Sequence, residues 1–184
     1  MSESKARPEL LDKDVIVSHL EPRFRDKPDV LSIAQTVDST NSALQRLPLV
    51  RQHLSVSLAE HQSGGRGRRG RLWHSPPGGN LYLSMGWRFE SNLAALGCLP
   101  LVVALATAKA LSRAGLEGHL IKWPNDLLLD GRKFCGCLVE VQGEPNGPCH
   151  AVLGVGINVH MPQSEETAGI DQPWTDLRSR LPGC

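Results

Sequence analysis

The sequence predicts an α+β domain, a mixed and largely continuous β-sheet backed by helices, and three observations carry that prediction. Leu81, Leu83, Met85, Trp87 and Phe89 alternate with Tyr82, Ser84, Gly86 and Arg88, the period of a strand with two unlike faces. Leu101, Val102, Leu105, Ala108, Leu111 and Ser112 recur near helical spacing instead, as in a helix packed on a sheet. Further short runs rich in Val, Ile and Leu stand on both sides of this pair, bounded by glycine, proline and Asp-Gly turn signals. The same elements also admit an α/β arrangement.

Residues 1–29 read as a mixed, charged lead-in and residues 30–184 as the domain proper. The run VLSIAQTV, Val30 to Val37, predicts the first strand, and Asp38, Ser39, Thr40 and Asn41 offer side chains suited to capping a short helix through Arg46. Ser55 to His61 predicts the second strand. After Gln62 and Ser63, the segment Gly64 to Arg71 is too dense in glycine and arginine for regular structure, and its like charges oppose a fixed conformation until a ligand orders it. Pro76-Pro77-Gly78-Gly79 turns the chain into the alternating strand. Pro100 marks a first turn or a kink in the helix that follows, and Gly115 its end. Three more strands are expected at His119 to Lys122, Phe134 to Gln142 and Ala151 to Val159, with Asp130-Gly131 as a hairpin turn before the second. Beyond His160 the chain turns polar and closes on Leu181-Pro182-Gly183-Cys184 without another apolar strand pattern.

Composition narrows the function classes. At 184 residues and 40% hydrophobic content there is material for one domain with a proper core. Lys+Arg at 20 against Asp+Glu at 19 leaves a net charge of +1, so no global field points to nucleic acid or an anionic membrane, and any cationic site must be local. The longest apolar stretch, Leu93 to Ala108, is interrupted by Gly97 and Pro100 and falls short of the ~18 residues of a membrane span. The polar opening Met1 to Lys5 lacks a secretory pattern, and a cytoplasmic location is expected. Five cysteines without an export signal read as reduced thiols, with Cys135 and Cys137 sharing one sheet face. Cys135, Cys137, Cys149 and His150 do not have a standard zinc spacing, and no protein-held metal is expected.

The segment from Gly64 to Arg71 carries the chemistry. Four arginines, Arg66, Arg68, Arg69 and Arg71, sit on a backbone whose glycines let main-chain N–H groups come close to an anion. Guanidinium forks suit carboxylate and phosphate oxygens. Taken alone, such a run is more often a solvated basic loop or a nucleic-acid patch. It has neither the spacing nor the Lys-Ser/Thr ending of a Walker A loop.

The order of the surrounding motifs changes that balance. The run GRGRRGRLWHSPPGGNLYLSM (65–85) is followed by KWPND (122–126), by Lys133 with Gly136 and Glu140, and by GVGIN (154–158); DSTN (38–41) and Gln62 precede it. In this set, which covers roughly Val30 to His160, the sequence resembles the biotin protein ligases. The resemblance implies the catalytic fold of the biotin/lipoyl ligases, related to class II aminoacyl-tRNA synthetases. It implies an enzyme that joins biotin and ATP into biotinyl-5'-AMP and passes biotin to a lysine of the biotin carboxyl carrier protein of acetyl-CoA carboxylase, with Mg2+ on the triphosphate.

The resemblance also assigns roles. Ser39, Thr40 and Gln62 would meet the ureido ring of biotin, with Asn41 among the ligand-binding residues. Arg66, Gly67 and Arg68 would close over the biotin carboxylate and the adenylate phosphate, with Gly65 and Arg71 of the same loop also binding ligand. Lys122 would be the cation nearest the reacting centre, making Lys122, Arg66 and Arg68 the catalytic set. Trp73, Asn80, Tyr82 and Asn158 would lie near ligand or nucleotide, with Gly136 and Gly156 against the ligand and Asp126 as a structural partner of the loop. The family also admits a homodimer.

The sequence departs from the family in three ways. About thirty residues of lead-in are too few for the helix-turn-helix domain of many bacterial relatives, so DNA binding is not expected. The residues after His160 are too few and too polar for the family's small C-terminal β domain, which suggests a shortened form. His74 stands where an aromatic residue is common. Two other readings compete: a lipoyl or octanoyl transferase of the same fold, which the arginine-glycine loop argues against, and a nucleic-acid-binding module, which the near-zero net charge argues against.

Overall fold

The computed structural model describes residues 10–25, 30–144, 147–162, 164–178 and 180–181; the opening Met1 to Lys5 and the closing Pro182-Gly183-Cys184 lie outside the described residues. Seven strands form one sheet: β1 (Leu31–Val37), β2 (Val56–Gln62), β3 (Leu81–Phe89), β4 (Leu120–Lys122), β5 (Asp126–Leu129), β6 (Arg132–Gly143) and β7 (Cys149–Ile157). Their spatial order is β1-β2-β3-β7-β6-β5-β4. Only β1 and β2 run parallel, and every other pair is antiparallel, so the sheet is mixed as predicted. The helices are α1 (Lys13–His19) and α2 (Pro22–Arg25) in the lead-in, α3 (Thr40–Gln45) and α4 (Leu49–Gln52) between β1 and β2, α5 (Leu99–Arg113), and α6 (Glu165–Ala168).

Residues facing each other across antiparallel strands project to the same side, and this sorts the sheet into two faces. Cys135, Ile157 and Leu81 lie in one row, with Cys137, Val155 and Leu83 in the next. This face packs on α5 through Val103, Ala104, Ala108 and Leu111 and forms the main core. The opposite face presents Tyr82, Gly156 and Gly136 in one row and Ser84, Gly154 and Leu138 in the next. It is covered by α3 and holds the site.

The predicted periods are present, but two faces differ from the simple apolar-inside reading. In β3 the more buried set is Tyr82, Ser84 and Gly86. The helical layer decides this: a Cβ on Gly86 would collide with the Gln52 carbonyl at the end of α4, so the backbone approaches where only glycine fits. In α5, Leu101, Val102 and Leu105 point outward while Val103 and Ala104 are buried. The helical run Leu93–Arg113 has the length and apolar composition to cross a membrane, longer than the sequence reading allowed, yet its inner face packs on the sheet as a core helix does.

The Asp130-Gly131 turn forms as predicted, both residues having positive φ (48° and 73°), the signature of a tight hairpin turn. It joins β6 to β5, a strand the sequence reading did not assign. A bulge interrupts this pair, since Leu127 faces Cys135 while Leu128 faces Lys133, leaving Phe134 as the extra residue. The polar segment after His160 docks rather than trails away. Lys133 N–H donates to the Pro173 carbonyl and Thr175 N–H to the Lys133 carbonyl, both at 2.9 Å, and Met161, Thr167, Thr175 and Leu177 are buried.

Candidate active site

A cleft of about 400 Å³ opens on the α3 face. Its floor is backbone. A Cβ on Gly154 would collide with Asn41 Oδ1, one on Gly156 would come within 2.6 Å of the Trp73 ring, and one on Gly136 within 3.0 Å of that ring. These three positions have ordinary extended backbone, so glycine serves here for close approach rather than for turning. The Trp73 indole lies over Gly156 with its Nε1 buried and without a hydrogen-bond partner among the described residues.

One end of the cleft is a closed polar network. Ser39 precedes α3 without spending its side chain on a cap. The capping acceptor comes from β2 instead: Gln62 Oε1 accepts from Thr40 N–H at 2.9 Å and from Thr40 Oγ1 at 3.2 Å. Gln62 Nε2 donates to Ser75 Oγ at 3.0 Å. Ser84 Oγ lies 2.7 Å from Thr40 Oγ1 and donates to Asn41 Oδ1 at 2.5 Å. Asn41 Nδ2 then donates to Glu140 Oε2 at 2.7 Å. Thr40, Asn41 and Ser84 are all buried, so these bonds remove most of the cost of placing their polar groups there.

The other end is cationic. The loop folds back on itself, with Gly67 N–H donating to the Arg71 carbonyl at 2.7 Å and Trp73 N–H to the Gly65 carbonyl at 2.9 Å. Arg69 (φ 58°) and Gly70 (φ 72°) make the tip, so the segment is a tight hairpin with a single 3-10 turn rather than the irregular loop expected. Arg66, Arg68, Arg69 and Arg71 line the cleft with Lys122, all of them exposed. Arg68 donates to Asn125 Oδ1 at 3.1 Å, and Asn125 is held in turn by its Nδ2 on the Cys137 carbonyl at 2.8 Å.

A second lysine, which the sequence reading gave no role, lies deeper. Lys133 Nζ sits 2.9 Å from Asp126 Oδ1, an ion pair without hydrogen-bond geometry, and 5.2 Å from the Trp73 ring centre. Its side chain is 16% exposed, so a charge there is less screened than that of exposed Lys122. The bulge at Phe134 explains the placement. In a regular strand Lys133 and Gly136 would point to opposite faces, but one extra residue brings both to the cleft.

Of the residues assigned by resemblance, the cleft gathers Ser39, Thr40, Asn41, Gln62, Arg66, Gly67, Arg68, Arg71, Trp73, Lys122, Gly136 and Gly156. Gly65 is buried beside it, against Trp73 and Ser75. Asn80 and Tyr82 do not line it. Tyr82 is buried, its hydroxyl donating to the Pro76 carbonyl at 3.0 Å, and burial pushes its phenol pKa well up. Asn80 accepts from Val159 and His160 N–H groups at 2.8 and 3.2 Å, tying the turn before β3 to the end of β7. Both side chains are spent on structure, fixing the turn before β3 to its neighbours. Asn158 faces a smaller neighbouring pocket, shared with Trp73, Lys133 and Gln172 and closed by Trp174 from the docked tail. Trp174 escaped the sequence reading; its only signal is an aromatic residue in an otherwise polar stretch.

The family is established by comparison. Residues 33–158 match the model of the biotin/lipoate A/B protein ligase family, and the chain belongs to that family. It is 43% identical over 171 residues to a bifunctional ligase/repressor BirA of Salmonella typhimurium, covering 92% of this chain and 51% of the relative. It is 40% identical to a biotin--[acetyl-CoA-carboxylase] ligase of Paracoccus denitrificans, covering 66% of this chain and 51% of the relative. A solved biotin protein ligase from Aquifex aeolicus, in complex with biotin and ATP, aligns at a TM-score of 0.65 and 31% identity, covering 81% of this chain and 60% of the other. The chain thus spans about half the length of the curated relatives it matches.

Proposed function

We propose that this chain carries the adenylating site of a biotin protein ligase, which forms biotinyl-5'-AMP and transfers biotin to a lysine of a carrier protein. One observation carries the reading: a single cleft joins a buried set of hydroxyls and amides at one end to a cluster of arginines and lysines at the other, over glycines that let Asn41, Trp73 and Lys133 pack close to the sheet. Such a cleft suits an elongated acid with a neutral hydrogen-bonding head and an anionic tail. The relatives named as biotin ligases support it.

In this reading Thr40, Gln62 and Ser39 take the ureido ring. A biotin carboxylate oxygen attacks the α-phosphorus of ATP, the bond to the β-phosphate oxygen breaks and pyrophosphate leaves. Arg66, Arg68 and Lys122 face the anionic oxygens, and Lys133 adds a half-buried charge over the floor, where stabilisation of developing charge is strongest. Trp73 and Trp174, which line the small neighbouring pocket, offer aromatic faces against which the adenine would stack. A carrier lysine amine then attacks the acyl carbon, losing a proton as AMP departs. Magnesium neutralises the triphosphate when bound. Asp126, the one carboxylate lining the cleft among the described residues, would contribute to holding it, as expected of an ion bound mainly through phosphate oxygens. The carrier protein of acetyl-CoA carboxylase is the expected acceptor and the cytoplasm the expected compartment.

The test is biotin-dependent exchange of labelled pyrophosphate into ATP. Exchange with biotin and none with lipoate is expected; exchange with lipoate alone would replace this reading with that of a lipoyl ligase.

A further inference from the structure

Glu140 sits on β6 opposite Val152, on the same face as the glycine floor, and the adenylation chemistry above does not use it. Its carboxylate nevertheless joins the two ends of the cleft. Oε2 accepts from Asn41 Nδ2 at 2.7 Å, and Arg66 Nη2 approaches Oε1 and Oε2 at 3.3 and 3.2 Å. Arg66 Nη1 donates to Ser42 Oγ at 2.7 Å, so both terminal nitrogens of this guanidinium are anchored, one by β6 and one by α3. The same guanidinium borders the cleft. Arg68, by contrast, has a single side-chain bond, to Asn125, and Arg69 and Arg71 have none among the described residues.

A guanidinium on a glycine-flanked loop samples many orientations, and a ligand that must fix it loses affinity to that ordering. Arg66 is already fixed. Asn41 makes no bond to Arg66 among the described residues: its Nδ2 donates to the carboxylate and its Oδ1 accepts from Ser84. Glu140 is therefore the group through which the buried network holds the arginine.

We propose that Glu140 is a positioning residue that aims Arg66 at the carboxylate end of the bound acid. The proposal rests on the reading of the cleft as a biotin-adenylating site. It separates two parts of one ligand: aiming Arg66 matters to the carboxylate and is irrelevant to the ureido ring.

Biotinol, in which a CH2OH group replaces the carboxylate, tests that separation by calorimetric titration beside biotin, with a melting curve for each variant. Glu140→Ala is expected to weaken biotin about tenfold, the size of a sizeable pairwise coupling, and biotinol less than about threefold. Glu140→Gln keeps an oxygen acceptor for Arg66 and Asn41 and is expected to restore biotin to within about threefold of wild type. In an Arg66→Ala background, Glu140→Ala should change biotin affinity no further. Equal weakening of both ligands would overturn the proposal, reducing Glu140 to a prop for Asn41. Unchanged or tighter biotin binding by Glu140→Ala would overturn it too, showing the carboxylate to be idle or a competitor for Arg66. If the wild-type chain bound neither ligand, the biotin reading itself would fall, an outcome distinct from a failure of Glu140 alone.

Discussion

At one end of the cleft Thr40, Asn41, Gln62 and Ser84 are already bonded to one another, three of them buried. At the other, Arg69, Arg71 and Lys122 stand exposed without a side-chain bond among the described residues. The first end can reject a ligand whose head fails to fit, because any buried polar group left unpaired costs ~1–3 kcal/mol. The second offers charge that is largely screened until a ligand excludes water. Lys133 lies between the regimes, half-buried and paired with Asp126. Selectivity for the head and acceleration at the tail are thus assigned to physically different regions.

The largest expected effect breaks the tail. Lys133→Ala should lower biotin-dependent pyrophosphate exchange by ~10²–10³, the scale of removing one well-placed stabiliser of transition-state charge. Lys122→Ala should lower it ~10-fold, since an exposed charge acts through more solvent. Each should lose far more exchange than melting temperature. If Lys122→Ala proved the more damaging, the exposed rim rather than the half-buried amine would carry the chemistry.

Next comes the floor. Gly154→Ala puts a methyl group into Asn41 Oδ1, and because that atom is held by Ser84 it has little room to yield. A loss of ~1–3 kcal/mol in stability is expected, together with loss of binding for both biotin and biotinol. Thr40→Val is milder: it keeps the N–H bond to Gln62 and removes the hydroxyl that meets Gln62 and Ser84. About 1 kcal/mol of stability should go, with weaker binding of both ligands, in chemical unfolding and calorimetry respectively. A Thr40→Val chain that loses biotin but holds biotinol would place the carboxylate at the wrong end.

What the sequence displayed and what it hid follow the range of the interactions. The Asp130-Gly131 hairpin turn and the alternation in β3 depend on neighbours in the chain and were legible. Which face of β3 is buried depends on α3 and α4 lying across it, and which side of α5 faces the sheet depends on where that helix lands. Lys133 stands in a motif of the sequence, but a regular strand period would point it away from Gly136, and only the single residue inserted at Phe134 brings both to the cleft. The docked tail carries Trp174 to the pocket beside the cleft through backbone bonds to Lys133, and backbone bonds leave no trace in composition. Asn80 and Tyr82 stand in the right motif, but their partners are turns and the β7 end rather than a ligand.

The smallest expected effect uses the far end of the sheet as a control on the cleft. His150 lies near the start of β7, beside Arg88 at the opposite end of that strand pair from Gly156. Its pKa is lowered from 6.5, first by burial and then by the charges of Arg88 and His53. A folded-state pKa below the unfolded one means that the unfolded chain binds the proton more readily. The stabilisation is therefore complete above 6.5 and declines as pH falls from there toward the depressed value. Melting temperature should drop modestly over that window, and His150→Gln should flatten the drop. Thr40, Asn41, Gln62 and Ser84 do not titrate, so biotinol affinity should stay level while the fold weakens. Were biotinol affinity to fall in step with melting temperature, the buried end would be coupled to the whole sheet rather than preorganised by its own bonds.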